Sequence, residues 1–175
     1  MKIVEKTAMI QMRHLPGRSY TRVKGNIVVY NLNVKQGDSY AAIQIISGEE
    51  RKTNAIITGW MVSPTLYSGA KYSIFFAHRT IDGSKTTGCL NLNCPAKIFN
   101  NFANPQIVGW GGIVAASNPP TGVSPPMGSG VFPDGKYEHS CSIRFAQYTN
   151  NLGIEDRPHG DSHEKIIDCP SRYIV

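Results

Sequence analysis

Short runs of β-branched and aromatic residues, each closed by a turn signal, most constrain what this chain can fold into. The first clear run covers residues 26–34 and follows Gly25. Asp82-Gly83, a dipeptide that favours tight hairpins, closes a later run. The other runs cover residues 40–47, 54–62, 71–80, 107–116 and 141–148. Short strands with turns every ~8–12 residues predict a sandwich of antiparallel β-sheets.

One segment departs from the strand pattern. Residues 97–103 have a composition compatible with a helix and follow Pro95, and proline is tolerated in the first turn of a helix. The sequence therefore predicts an all-β fold with one short helix near residues 97–103.

The length of 175 residues suits one domain with a hydrophobic core and is too short to argue for two. We expect a poorly ordered N-terminal extension over residues 1–19 and a β-sandwich domain over residues 20–148. Beyond Tyr148 the chain becomes polar, so residues 149–175 are predicted to form a C-terminal tail.

The charge pattern argues against several classes of partner. The formal net charge is +6, but the lysines and arginines are scattered rather than clustered. A nucleic-acid surface needs clustered basic residues or interleaved aromatic residues, so none is expected. No apolar run approaches the roughly 18–20 residues that cross a bilayer, so no membrane partner is expected. A basic surface would equally suit acidic partners.

Four motifs occur in a fixed order along the chain. They are Gly59-Trp60-x-Val62-x-Pro64-x-Leu66-Tyr67, Thr87-Gly88-Cys89-x-Asn91-Leu92-x-Cys94, Trp110-Gly111-Gly112 and Met127-Gly128-Ser129-Gly130-x-Phe132. In this order they resemble the plant neprosin family of secreted glutamic peptidases, which cleave after proline. Each motif alone is weak, but four in the right order are specific. The resemblance implies a β-sandwich, no cofactor, and proline-containing peptides or proteins as partners.

The resemblance also locates the positions of the family's two catalytic glutamates. The patterns that contain them read here Ile56-Ile57-Thr58-Gly59-Trp60 and Trp110-Gly111-Gly112-Ile113, so Ile57 and Ile113 replace both acids. Isoleucine cannot ionise, and therefore can neither activate water nor donate a proton to a leaving amine. No catalytic residue is assigned, and we expect a pseudoenzyme. Two alternatives stay open: an active post-proline endopeptidase that uses other carboxylates, and a non-enzymatic cell-wall or structural β-domain.

The chain has other candidates for catalytic acids and for the lining of a substrate groove. Glu49, Glu50 and Asp82 lie in predicted turns, where carboxylates are usually solvated and poorly placed for catalysis. The candidates for a substrate groove are Trp60, Tyr67, Trp110, Gly111 and Gly112. Aromatic rings are equally good core residues, so both interpretations stay open.

The four cysteines have their own interpretation. The resemblance implies a disulfide between Cys89 and Cys94, and leaves Cys141 and Cys169 as a further pair in which only Cys169 has a family counterpart. Free thiols are the alternative in a reducing compartment. Only one close cysteine pair exists, so no zinc site is expected.

Two polar motifs elsewhere are given structural interpretations. The histidines and acids of residues 159–164 lie in a polar segment without strand or helix periodicity, so they are interpreted as solvated charges rather than metal ligands. Ser129 lacks the Gly-x-Ser-x-Gly pattern of a nucleophile elbow and is interpreted as part of a glycine turn.

Two departures from the family concern the number of strands in the sandwich and the cellular localisation of the protein. In the family, several strands separate the cysteine motif from Trp-Gly-Gly, whereas here residues 94–99 lead almost directly into it. The sandwich is therefore predicted to lack central strands, which would leave unpaired sheet edges. The family is secreted, but residues 1–20 contain no uninterrupted apolar core of the kind a signal peptide has, so the localisation is left open.

Overall fold

The structure, a computed structural model, describes residues 2–48, 53–68, 72–81, 84–87, 102–118, 125–132, 134, 136 and 139–168. The strands in these ranges are β1 (Lys2–Met12), β2 (Tyr20–Ile27), β3 (Asp38–Ser47), β4 (Asn54–Val62), β5 (Ile74–Ile81), β6 (Ser84–Thr87), β7 (Ile107–Asn118), β8 (Ile143–Asn150), β9 (Glu155–Asp156) and β10 (His163–Ile167). Within the same ranges, the single helical element is the 3-10 turn Gly160–Ser162. The predicted all-β class is confirmed.

The described strands form two antiparallel sheets. The large sheet has seven strands in the order β10-β1-β7-β3-β4-β5-β6, and the small sheet has three in the order β2-β8-β9. The small sheet packs on one face of the large sheet, which we call the inner face. The main core between the sheets consists of Met12, Tyr20, Ile43, Ile45, Val108, Trp110 and Tyr148. The predicted sandwich of antiparallel sheets is therefore confirmed.

The two tryptophans attach β2 and the chain after it to the large sheet. The indole nitrogen of Trp60 donates to the carbonyl of Val28, and that of Trp110 donates to the carbonyl of Lys24, each over 2.9 Å. Both side chains are buried, so these bonds satisfy donors that would otherwise be costly to remove from water.

Two glycines beside these tryptophans allow neighbouring strands to approach closely. A Cβ atom at Gly59 would overlap the backbone of Ala41 on β3, and one at Gly111 would overlap the backbone of Ala8 on β1. Any larger residue would force the strands apart, so this packing explains why glycine occupies the two positions.

The N-terminal segment was expected to be poorly ordered, but β1 lies between β7 and β10 inside the large sheet. Burial on both faces of the sheet explains the difference: Ala8 and Met12 are almost completely buried on the inner face, and Met9 is on the opposite one. The segment after residue 148 was expected to be a tail, but it contributes β9 and β10. Ala8 to Met12 pair with Ile167 to His163, so a polar sequence is held by backbone pairing.

The structure differs from the sequence-based expectation after β2, and the predicted helix lies mostly outside the described residues. Residues 26–34 were predicted to form one strand, but β2 ends at Ile27, and Leu32 and Val34 instead pack against Trp60 from irregular backbone. The helix predicted near residues 97–103 falls mainly on 97–101, outside the described residues, and residues 102 and 103 are not helical. Among the described residues, no helix has the length and apolar character needed to cross a membrane.

Candidate functional site

The two positions that the resemblance links to catalysis lie on one face of the large sheet. Ile57 on β4 is opposite Gln44 of β3, and Ile113 on β7 is opposite Tyr40 of β3. Tyr40 and Gln44 lie on the side of β3 opposite to the core residue Ile43, and directly paired residues share a face. Both isoleucines therefore point away from the small sheet, on what we call the distal face. The register places them about 10 Å apart across the strands and about 13 Å apart along them.

The surroundings of Ile57 are apolar and aromatic. It is half-buried and packs, together with Tyr40, against the buried residues Ala42, Met61 and Phe76. Hydrocarbon therefore fills the space that would surround a carboxylate at this position. Such surroundings can stabilise packing and apolar contacts, but they provide no group for proton transfer.

Three rings on the distal face form what we call the aromatic row: Tyr40, Phe76 and His78. The Tyr40 and Phe76 ring centroids are 5.5 Å apart in an edge-to-face arrangement, and those of Phe76 and His78 are 4.8 Å apart. On β4, Gly59 is paired directly with Phe76 and has no side chain. The first two rings can therefore meet above it.

A buried carboxylate lies at one end of this row. Asp38 begins β3 and is 9% exposed, and its Oδ1 accepts a 2.6 Å hydrogen bond from the Ser63 hydroxyl. Ser63 in turn accepts from the backbone nitrogen of Leu66. These bonds hold the turn after β4 and compensate a group that is expensive to bury alone.

Tyr40 lies between this carboxylate and the rest of the distal face. Its burial, together with the nearby charges of Asp38 and Glu5, raises the pKa of Tyr40 above its ordinary value. The phenol is consequently neutral across the physiological range, and it is a hydrogen-bonding group rather than a charged one.

Glu5 and Asp38 form a pair that sequence reasoning missed. Glu5 on β1 and Asp38 on β3 both pair with Ala115 of β7, so the three residues make one row across the sheet. The two acids are about 10 Å apart at the backbone, with only a methyl group between them. No signal in the sequence could have joined them, because β1 was expected to be unstructured and the order β1-β7-β3 is not the order of the chain.

The five predicted groove residues divide between the two faces. Trp60 and Trp110 are buried on the inner face with their indole donors satisfied, and Gly112 is buried there against Met127. The two tryptophans are thus core residues, because backbone carbonyls already use their polar edges. Gly111 lies on the distal face and Tyr67 is 45% exposed after β4, so a groove on this side stays a prediction.

The candidate acids and cysteines are only partly described. Glu49, Glu50, Asp82, Cys89, Cys94 and Cys169 lie outside the described residues. Cys141 is a free thiol in the described part of the chain, and its pairing with Cys169 stays a prediction. Burial raises the pKa of the Cys141 thiol to about 11, which leaves it protonated and a poor nucleophile at neutral pH.

The remaining candidates have structural partners. The Ser129 hydroxyl accepts hydrogen bonds from the backbone nitrogens of Cys141 and Val131, and thus stabilises a turn. In the 159–164 segment, Ser162 and His159 close a short turn and Glu164 accepts from Gln11 of β1. Among the described residues, no three histidine, cysteine or acidic side chains are grouped as metal ligands.

A comparison with protein families matches this chain to one family model, Neprosin. The match falls in two segments, residues 35–98 and residues 95–175, which together include more than half of the chain. The two segments overlap at residues 95–98, between the cysteine motif and Trp-Gly-Gly.

Proposed function

Because this chain belongs to the neprosin family, we propose that it is a non-hydrolytic member that binds proline-containing peptides on the distal face of its large sheet. One observation supports the proposal: Ile57 and Ile113, which the resemblance assigns to the positions of the family's two acids, lie on the same face of the large sheet.

The loss of hydrolysis follows from the chemistry of peptide cleavage. One group must activate water and another must protonate the leaving amine, and each contributes roughly 10²- to 10⁴-fold to the rate. Two hydrocarbon side chains contribute neither function. Burial of their apolar surface in the face also removes the room and polarity that an attacking water needs.

The retained binding follows from the apolar and aromatic character of the face. Proline-rich segments adopt an extended helix without internal hydrogen bonds, and aromatic surfaces recognise their rings. Tyr40, Ile57 and Ile113 are all half-buried, so each has surface left for a ligand. The exposed ring of Tyr67 lies close enough to Tyr40 to influence its ionisation, and would extend the same surface.

A binding titration with a proline-rich peptide tests the proposal directly. We expect Ile57→Glu and Ile113→Glu each to weaken binding, because a charge replaces apolar contact area. Leu152→Glu is the matched control, since Leu152 is 77% exposed in the turn after β8 and should leave binding unchanged. Equal peptide affinity for the wild type, the two isoleucine variants and the Leu152→Glu control would contradict the proposal, as would no binding by the wild type.

A second candidate function is hydrolysis through the Glu5–Asp38 pair. It is favoured by the row in which both acids flank Ala115 on the distal face. Against it, Asp38 already accepts the Ser63 hydrogen bond and is needed for the turn after β4.

An assay at acidic pH with a proline-containing peptide separates the two functions. Glu5→Gln is the sharper variant because Glu5 is exposed and its removal should spare the fold. Cleavage that survives repurification and disappears in Glu5→Gln, with an unchanged melting temperature, would establish the second candidate. Absence of both cleavage and peptide binding would favour a purely structural β-domain.

A further inference from the structure

A polar cleft lies at one end of the sandwich, and its walls come from three separate parts of the chain. The β1–β2 connection, the segment before β7 and the turn after β8 enclose about 380 Å³. The side chains that line it include His14, Arg18, Ser19, Asn104, Gln106 and Asn151. None of the known family motifs lies in this cleft, and it does not depend on the function proposed above.

Backbone hydrogen bonds hold the walls of the polar cleft together. The nitrogen of Tyr20 donates to Pro105 over 2.8 Å, and that of Asn151 donates to Ser19 over 2.9 Å. The Gln106 side-chain oxygen accepts from the backbone nitrogen of Gly48 over 3.1 Å, which leaves its amide NH₂ group as the donor end. A cleft braced in this way is formed before any ligand arrives, and this lowers the entropic cost of binding.

The lining of the polar cleft is rich in groups that can donate hydrogen bonds. It combines a guanidinium, an imidazole, a hydroxyl and side-chain amides, and none of the described residues that line it is acidic. Among the described residues, Arg18 forms no ion pair with a carboxylate. Burial raises the pKa of the nearby phenol Tyr20, and burial together with the Asp156 carboxylate raises that of Tyr148, although the charge of Arg18 lowers both. The phenols stay neutral and do not offset the charge of Arg18, and Asp156 accepts a hydrogen bond from Tyr148.

We propose that the polar cleft binds a small carboxylate-bearing ligand, with Arg18 as the charged anchor and Asn104 and Gln106 as amide partners. Guanidinium groups match carboxylates through two parallel hydrogen bonds, and charge-assisted pairs of this kind are stronger than neutral ones. The volume lies at the small end of the range of about 300–1,000 Å³ for small-molecule sites. The overall charge of +6 also attracts anions to the protein.

Calorimetric titration with succinate at low ionic strength tests this assignment. We expect saturable binding by the wild type and at least about ten-fold weaker binding by Arg18→Gln, because a charge-assisted pair is lost. Arg22→Gln is the matched control: it makes the same charge change at an exposed arginine on β2 and should bind like the wild type. Asn104→Asp, at an exposed position, should abolish binding by repulsion even if Arg18→Gln folds poorly.

Two further titrations identify the ligand class. Succinamide, which has the same shape without charge, should not bind, and phosphate should bind more weakly than succinate. A short peptide with a free C-terminus, compared with its amidated form, shows whether the carboxylate comes from a free acid or from a chain end. Equal weakening by Arg18→Gln and Arg22→Gln, tighter binding of phosphate, or no succinate binding at millimolar concentration would overturn the assignment.

Discussion

Replacement of Trp110 by phenylalanine tests whether this residue is a core anchor or part of a substrate groove. In the structure its indole nitrogen donates to the Lys24 carbonyl over 2.9 Å, and its side chain is 3% exposed. Trp110→Phe removes the donor and leaves that carbonyl without its partner, at a cost of about 1–3 kcal/mol. The smaller ring adds roughly 1 kcal/mol for the space left in the core.

The expected loss in the free energy of unfolding is therefore about 2–4 kcal/mol. A domain of this size loses roughly 2–4 °C in melting temperature for each kcal/mol, so calorimetry should show a decrease of about 4–16 °C. Urea denaturation should shift in midpoint with an unchanged slope, which would show that the native fold is kept.

Two matched variants define the outcome. Trp60→Phe removes the equivalent bond to Val28 and should cost a similar amount, whereas Phe75→Leu, at a residue that is 68% exposed, should cost little. A loss below about 0.5 kcal/mol for Trp110→Phe, which is the range of ordinary surface substitutions, would refute the anchoring argument. If the same variant lost peptide binding at full stability, Trp110 would belong to a groove instead.

Three other predictions follow from the packing and pairing of the large sheet. Gly111→Ala should destabilise the fold by about 2 kcal/mol or more in urea denaturation, because its methyl group would overlap the Ala8 backbone; unchanged stability would contradict the close approach of β1 and β7. The pKa of Tyr40 is raised in the folded state, so the stability that its neutral phenol contributes is fully present below about pH 10 and is lost as the pH rises further. Tyr40→Phe cannot ionise, so its melting temperature should fall less at alkaline pH than that of the wild type. Deletion of residues 1–12 should abolish cooperative unfolding in calorimetry, because β1 pairs with both β7 and β10; a truncated chain that melts like the wild type would show that this strand is dispensable.

The sequence alone was sufficient for the central strands, the fold class and the family. The runs predicted at residues 40–47 and 54–62 correspond to β3 (Asp38–Ser47) and β4 (Asn54–Val62). These segments are dominated by β-branched and apolar residues between turn residues, so their local preference agrees with their final state. The assignment of Ile57 and Ile113 to the family's acid positions depends only on residue identity, and it stays a prediction.

Other features depended on contacts between distant parts of the chain. The mixed composition of β1 and β10 gives a weak local signal, and their strands form because each supplies the other's backbone hydrogen bonds. The row of Glu5, Ala115 and Asp38 and the polar cleft likewise join segments that are far apart in sequence.

Alternation along a strand shows that its two faces differ, but it does not show which face another sheet will cover. The sequence placed Ile57 and Trp60 on opposite sides of β4 and left both sides open to interpretation. Packing of the small sheet and of the chain after β2 decided the matter, because Leu32 and Val34 cover the indole of Trp60 and Ile57 faces the other way. Which residues are core and which can meet a ligand was therefore determined only when the two sheets came together.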